Sequence, residues 1–236
     1  MLSIVATPIG NLGDITLRAI ETLKNANAIV CEDTRVTGNL LHQLNLPKKE
    51  LISMHGYTDP RKIDGVITRL VQGENLALVS DAGTPGISDP GFHLVNRCRQ
   101  EGILIEVIPG ASAFLAALSA SGLPINHFLY LGFLPLKKGR KRLIASFLET
   151  EHTIVFYESV HRIEKTLMEL YEALMEQPER PVVIGRELTK IHEEIISTTV
   201  GALNRNAQDV TKKGEFVIVI GPIPRKGSAE TDGEEG

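Results

Sequence analysis

Residues 76–91 read LALVSDAGTPGISDPG. Leu76–Ser80 has the composition of a strand and runs straight into a loop holding Gly83, Gly86 and Gly91 with Pro85 and Pro90. Helix-like sequence follows from Phe92. In an open α/β sheet, ligands sit outside the carboxyl ends of the strands, so this loop stands where a ligand would be held. Its glycines allow close backbone approach and positive φ, and its prolines stiffen the run. The loop is therefore suited to presenting main-chain N–H and C=O groups. Neither GxxxxGK[ST] nor GxGxxG is present, so neither nucleotide fingerprint applies. The alternative is a tight surface turn that serves folding alone.

Working upstream, Leu2–Ala6 reads as a buried first strand that leaves through the loop Thr7–Asp14. Asp14 is placed to cap a helix carrying Leu17, Ile20 and Leu23 on one face. Ala28–Cys31 is a second strand, followed by Glu32-Asp33-Thr34-Arg35 and a helix through Leu40 and Leu41. Leu51–Met54 is a third strand, with His55-Gly56-Tyr57-Thr58 after it. Ile63, Val66, Ile67, Leu70 and Val71 then recur at helical spacing. Downstream come a helix at Phe92–Gln100, a strand at Leu104–Ile108, the loop Pro109–Ala113 and a small-residue helix to Ser121.

This alternation implies a mainly parallel sheet covered on both faces. The punctuation Gly122-Leu123-Pro124 then marks a boundary between an N-terminal α/β domain, 1–121, and a C-terminal one, 122–223. The second domain offers strands at Phe128–Phe133, Thr153–Tyr157 and Pro181–Gly185, a helix near Leu143–Leu148, and a helical stripe of Val160, Ile163, Leu167, Leu170 and Leu174. Glu194–Val200 and Glu215–Gly221 read as a late antiparallel pair, which makes this sheet mixed. Residues 224–236 are Gly, Ser and acid, a disordered acidic tail.

Hydrophobic residues make up 42% of the 236, enough for two real cores. The last ten residues carry four acids and no base, so the whole formal charge of −4 lies in the tail and the body is neutral. Cys31 and Cys98 are too few for a disulfide scaffold and read as reduced thiols of a cytoplasmic protein. The amino terminus MLSIVATPIG has no basic leader region, and no apolar run approaches membrane length. Neither HExxH nor paired CxxC occurs, so a metal is not indicated.

Seven segments, ATPIGNLGDIT, EDTR, VSDAGTPGISDPG, IPGASA, LGFLP, FYES with HRI, and RELTK, occur in this order over Met1–Gly221. In order and spacing they resemble the tetrapyrrole methylase superfamily, and within it the branch that methylates the ribose 2′-oxygen of a decoding-site cytidine in small-subunit ribosomal RNA. The resemblance implies two α/β domains, S-adenosylmethionine (SAM) held in the cleft between them, and a homodimer acting on small-subunit RNA or a 30S-type particle. Carried over by motif, the cofactor contacts fall at Pro8, Ile9 and Gly10, at Asp81, Ala82, Gly83 and Gly86, and at Ser112 and Ala113, with Tyr157 and Leu188 from the second domain. Tetrapyrrole-modifying relatives have a GxGPGD-type first loop and a GGDP-type second. TPIGN and SDAGTP depart from these and favour the RNA branch. The family's His- and Asn-rich stretch after the third strand is replaced here by His55–Pro60.

Lys137-Lys138-Gly139-Arg140-Lys141-Arg142 packs five positive charges into six residues, the footprint of phosphate contact by Lys137, Lys138, Arg140, Lys141 and Arg142. A solvated helix start is the other reading, although positive charge there opposes the helix dipole. For methyl transfer to a hydroxyl, Asp33 is the candidate proton acceptor, with Arg35 and Lys190 orienting the nucleotide. Asp33 reads equally well as a helix N-cap. Three functions remain open: an RNA 2′-O-methyltransferase, a methyltransferase of a tetrapyrrole or other small molecule, and a non-enzymatic ribosome-associated protein. The basic cluster has no role in the second, and the third has no need of the Gly- and Pro-rich loop.

Overall fold

The computed structural model describes residues 1–54, 60–88 and 91–223; the expectations for His55–Thr58 and for the tail 224–236 lie outside them. The chain separates into two compact units, Met1–Ala113 and Phe114–Gly236.

In the first unit the strands β1 (Leu2–Val5), β2 (Ala28–Cys31), β3 (Glu50–Ser53), β4 (Leu76–Leu78) and β5 (Ile105–Ile108) alternate with helices α1 (Leu17–Asn25), α2 (Thr34–Gln43), α3 (Pro60–Val71) and α4 (Phe92–Gln100). The sheet is parallel throughout, in the order β3-β2-β4-β1-β5. The inner strands β1, β2 and β4 are buried on both faces because their residues alternate between two cores, whereas the edge strands β3 and β5 stay partly open. Ile29, Cys31, Val5 and Ala77 pack with Ala19, Leu23 and Leu41 of α1 and α2. Ala28, Val30, Leu2 and Leu76 pack with Val66, Ile67, Leu70, Leu94 and Cys98 of α3 and α4. That arrangement is why these strands read as unbroken apolar runs. The cap of α1 is Thr16, whose Oγ1 accepts from Ala19 N at 3.0 Å, and not Asp14, which ends a short 3-10 turn at Leu12–Asp14.

The order of strands has a functional consequence. The chain leaves β1 toward β2 and leaves β4 toward β5, so it departs from these neighbouring strands in opposite directions. The crevice beyond their carboxyl ends is a topological switch point, the position where open α/β sheets hold ligands.

The second unit contains α5 (Ala113–Ala120, all but its first residue), β6 (Phe128–Phe133), α6 (Arg140–Ala145), β7 (Thr153–Ser159), α7 (Ile163–Leu174), β8 (Pro181–Arg186), β9 (Glu194–Thr199), α8 (Leu203–Asp209) and β10 (Glu215–Ile220). Helix α5 lies ahead of the Gly122-Leu123-Pro124 punctuation yet groups with this unit, where the Phe114 ring stands 4.4 Å from that of Tyr130. The sheet is mixed, in the order β6-β7-β10-β8-β9, with β6 parallel to β7 and the other pairs antiparallel. The expected late pair is not a pair. Strand β10 inserts between β7 and β8, where five of its six residues are buried, and β9 forms the edge beyond β8. The stripe Ile163, Leu167, Leu170 and Leu174 packs on Ile154, Phe156, Ile184, Ile218 and Ile220. Arg180, fully buried, donates to the carbonyls of Phe147, Thr150 and Gly221 and so ties three chain segments at one end of this sheet.

Among the described residues no helix is long and apolar enough to cross a membrane, and no group of three or more His, Cys, Asp or Glu is placed to hold a metal ion.

Candidate active site

Three loops leave the carboxyl ends of β1, β4 and β5 and are knitted by their own backbones. Thr7 and Gly83 exchange two hydrogen bonds, N to O at 2.9 Å and 3.1 Å, an antiparallel bridge across the mouth of the switch point. The Thr7 hydroxyl donates to Ser80 O at 3.2 Å, and the Thr84 hydroxyl donates to Ala111 O at 3.1 Å. Gly83 is needed for its φ of +80°, in the left-handed region that L side chains rarely adopt. Gly110 is needed for a different reason: a Cβ would fall 2.9 Å from Ala6 Cβ, closer than packed carbons approach.

This knitting assembles the expected first-unit contacts. Ile9 and Gly83 are buried; Pro8, Ser112 and Ala113 are half-buried; Gly10, Asp81, Ala82 and Gly86 are exposed. Asp81 Oδ1 accepts from Asp33 N at 3.0 Å, which joins the EDTR loop to the same group.

Asp33 does not have the surroundings of a proton acceptor. Its carboxylate caps α2 by accepting from Arg35 N at 2.8 Å, and it also accepts from Arg35 Nε at 3.0 Å and Nη2 at 2.5 Å. The Arg35 side chain and then its backbone N–H hold the carboxyl down at about 2, so it has little appetite for a proton near neutrality. The capping role is the one the geometry supports. Arg35 itself reaches out from this pair, its side chain 88% exposed.

In the second unit Tyr157, Val217 and Gly185 lie side by side across β7, β10 and β8, and Leu188 folds over Gly185, where a Cβ would stand 3.3 Å from its side chain. Tyr157 and Leu188 therefore lie over one face of the sheet, and the glycine makes room for the leucine. Around Leu188 the backbone is strained: Glu187 and Thr189 have φ of +49° and +67°, and a β-branched residue rarely adopts such a conformation. Such strain collects at ligand sites and costs on the order of 1–3 kcal/mol per residue. This signal was not available from the RELTK motif.

Lys190 is less available than expected. Its Nζ donates to Glu187 Oε1 at 2.8 Å and Glu215 Oε2 at 2.9 Å, which takes two of its three N–H groups. Partial burial pulls its pKa down, but the two carboxylates outweigh that and leave the ammonium above its ordinary range.

The basic segment also divides. Lys137, Lys138, Lys141 and Arg142 are exposed, whereas Arg140 is 5% exposed and turned inward. Its guanidinium bonds Glu169 Oε2 at 2.7 Å, the Thr166 hydroxyl at 2.6 Å and Pro135 O at 3.3 Å. Arg140 thus leaves the set of RNA contacts, because a phosphate would have to break this network to reach it.

A doubly wound first sheet with a main-chain-lined switch point, joined in sequence to a mixed second sheet, is the build of the tetrapyrrole (corrin/porphyrin) methylases, whose family model matches residues 1–204. Solved structures agree at the level of fold. Cobalt precorrin-4 methyltransferase, a cobalamin biosynthetic enzyme, superposes with a TM-score of 0.69 at 20% identity, covering 93% of this chain and 94% of that one. Uroporphyrin-III C-methyltransferase of Thermus thermophilus, in a complex with S-adenyl homocysteine, superposes with a TM-score of 0.63 at 20% identity, covering 92% and 96%. Closer in sequence is ribosomal RNA small subunit methyltransferase I of Haemophilus influenzae, 45% identical over 228 residues, 95% of this chain and 80% of the relative. The protein of the same name from Synechocystis is 44% identical over 221 residues, covering 93% and 78%. The chain belongs to this ribosomal RNA small subunit methyltransferase I family within the tetrapyrrole methylases. The resemblance carried by the seven motifs is borne out.

Proposed function

We propose that the chain transfers the methyl group of SAM to the ribose 2′-oxygen of a cytidine in the decoding region of small-subunit ribosomal RNA, and does so in the cytoplasm. The observation that carries this reading is the 45% identity, over 95% of the chain, to relatives named for that RNA. The first-unit loops fit the cofactor, because a polar ligand rich in hydroxyl, amino and carboxylate groups needs both donors and acceptors. Peptide groups supply both without a fixed charge. Gly10, Asp81, Ala82, Gly86, Ser112 and Ala113 would line it; Tyr157 and Leu188 are the further contacts the family motifs imply. Asp81 would hold its free carboxylate oxygen toward a ligand hydroxyl or amine, since Oδ1 is bonded to Asp33 N.

When bound, SAM supplies an electrophilic methyl on a sulfonium sulfur. The ribose oxygen would take that methyl as the C–S bond breaks and its electron pair stays on sulfur, with the hydroxyl proton passing to solvent water. Such an in-line displacement gains most from alignment, and rigid loops locked by the Thr7–Gly83 bridge supply it. Lys137, Lys138, Lys141 and Arg142 would meet the phosphates. The reading includes a homodimer, supported by Phe128, Leu129 and Phe133, which leave edge strand β6 partly uncovered and apolar.

Incubation with methyl-labelled SAM and either assembled small subunits or naked RNA, followed by nucleoside analysis, tests the assignment. Label in 2′-O-methylcytidine is expected. Label in a porphyrinogen offered in parallel, with none in RNA, would overturn it.

A further inference from the structure

The FYES and HRI motifs bring together a buried ionic cluster to which the proposed reaction assigns no role. Glu158 is fully buried on β7, with its side chain 0% exposed. Its Oε1 accepts from Ser159 N at 2.7 Å and lies 2.8 Å from Arg162 Nη2; its Oε2 accepts from the Thr166 hydroxyl at 2.7 Å and lies 3.5 Å from Arg140 Nη2. The far ends of the two guanidinium groups reach one short stretch of backbone. Arg162 Nη1 donates to Leu134 O at 3.1 Å and Arg140 Nη1 donates to Pro135 O at 3.3 Å.

Those carbonyls open the stretch 134–139, which has no helix or strand of its own before Gly139, at a φ of +83°, turns it into α6. Leu134 and Arg140 are buried at its two ends, and Lys137 and Lys138 are exposed between them. A buried ion cluster is a poor source of stability, because desolvation consumes most of its Coulomb attraction. What a fork-shaped guanidinium does supply is fixed geometry at both its ends.

We propose that Glu158, acting through Arg162 and Arg140, is a positioning residue for RNA: it holds the 134–139 loop, and the start of α6 that follows it, in the shape that presents Lys137 and Lys138 from the loop and Lys141 and Arg142 from the helix to phosphates. This rests on the reading of those four cations as RNA contacts. A loop released from its two carbonyl anchors would have to be ordered by the RNA, and the cost of that ordering would fall on affinity and not on charge.

The test uses Arg162→Lys, which keeps a cation beside Glu158 but cannot also span to Leu134 O, together with Glu158→Gln. RNA Kd and KM should rise about three- to tenfold, the size of one or two newly ordered loop residues, with kcat at saturating RNA unchanged. SAM Kd should stay within about twofold, and the slope of log K against log salt should match the parent, because all four exposed cations remain. A slope lowered by about 0.7–0.9 in Arg162→Gln, which removes the cation, would make Arg162 a direct phosphate ligand and overturn the proposal. Unchanged RNA affinity in Arg162→Lys, or equal losses for SAM and RNA, would also overturn it, and Arg162→Lys decides the matter even if Glu158→Gln does not fold. Lys137→Glu with Lys138→Glu separates the two readings. If that double variant binds RNA normally, the cations are not RNA contacts and the proposal falls with them; if it binds poorly while Arg162→Lys binds normally, only the positioning role is lost.

Discussion

At Asp33 one carboxylate could have been a base or a cap, and the hydrogen bonds decide for the cap. A carboxyl held at about 2 by Arg35 stays ionised at every pH at which an enzyme of this kind would be assayed. Its folded pKa is depressed, so its contribution to stability is present above the unfolded value and is lost as pH falls through about 2. Asp33→Asn, whose amide oxygen can still cap α2, should therefore lower kcat by less than about threefold, against the 10²–10⁴ that loss of a general base costs. Steady-state kinetics at saturating SAM and RNA check this, and a hundredfold loss would restore Asp33 to the chemistry. The cysteines make a second case. Burial pushes the Cys98 thiol up to about 11 and raises that of Cys31, beside Asp81 and Asp33, above its ordinary value. Both should resist iodoacetamide at pH 8 in the folded protein and react once it is unfolded, as mass spectrometry would report.

The strands and helices of the first unit were legible because doubly buried parallel strands write themselves as apolar runs and amphipathic helices as stripes. The Gly- and Pro-rich loops were legible for a related reason: only such residues permit the φ of Gly83 or the close approach at Gly110. Gly110→Ala would force the loop after β5 away from Ala6, an overpacking of about 1–3 kcal/mol, and should weaken SAM binding about tenfold or more by calorimetry. Gly65→Ala, in α3 with open space around it, should leave SAM affinity unchanged and add about 0.5–1 kcal/mol of stability. The basic run was legible as charge and misleading as surface. A string of five cations does not say that one of them, Arg140, is claimed from below by Glu158 and Glu169, since those partners lie 18 and 29 residues away. The strain around Leu188 was equally hidden, because Glu187 and Thr189 are not residues that advertise positive φ.

At the scale of the whole molecule, binding of the expected ligand is linked to folding. SAM at a hundred times its Kd should stabilise the folded protein by about 2.7 kcal/mol, seen as a rightward shift of the denaturation curve that S-adenosylhomocysteine reproduces and ATP does not. No shift at that concentration would remove the cofactor site. What the sequence could not disclose at this scale is strand order. Apolar runs at 181–186 and 215–220 announce two strands, but which neighbours they take is settled by long-range pairing that no local pattern records. The placement of β10 between β7 and β8 bears on how the polypeptide matures during synthesis. The first sheet has all its strands once residue 108 is made, so it can close early, whereas β7, with only β6 beside it, and β8, with only β9, each keep one edge unpaired. They must wait for residues 215–220 to slot between them, and over that interval the nascent chain is open to mispairing and to capture by chaperones.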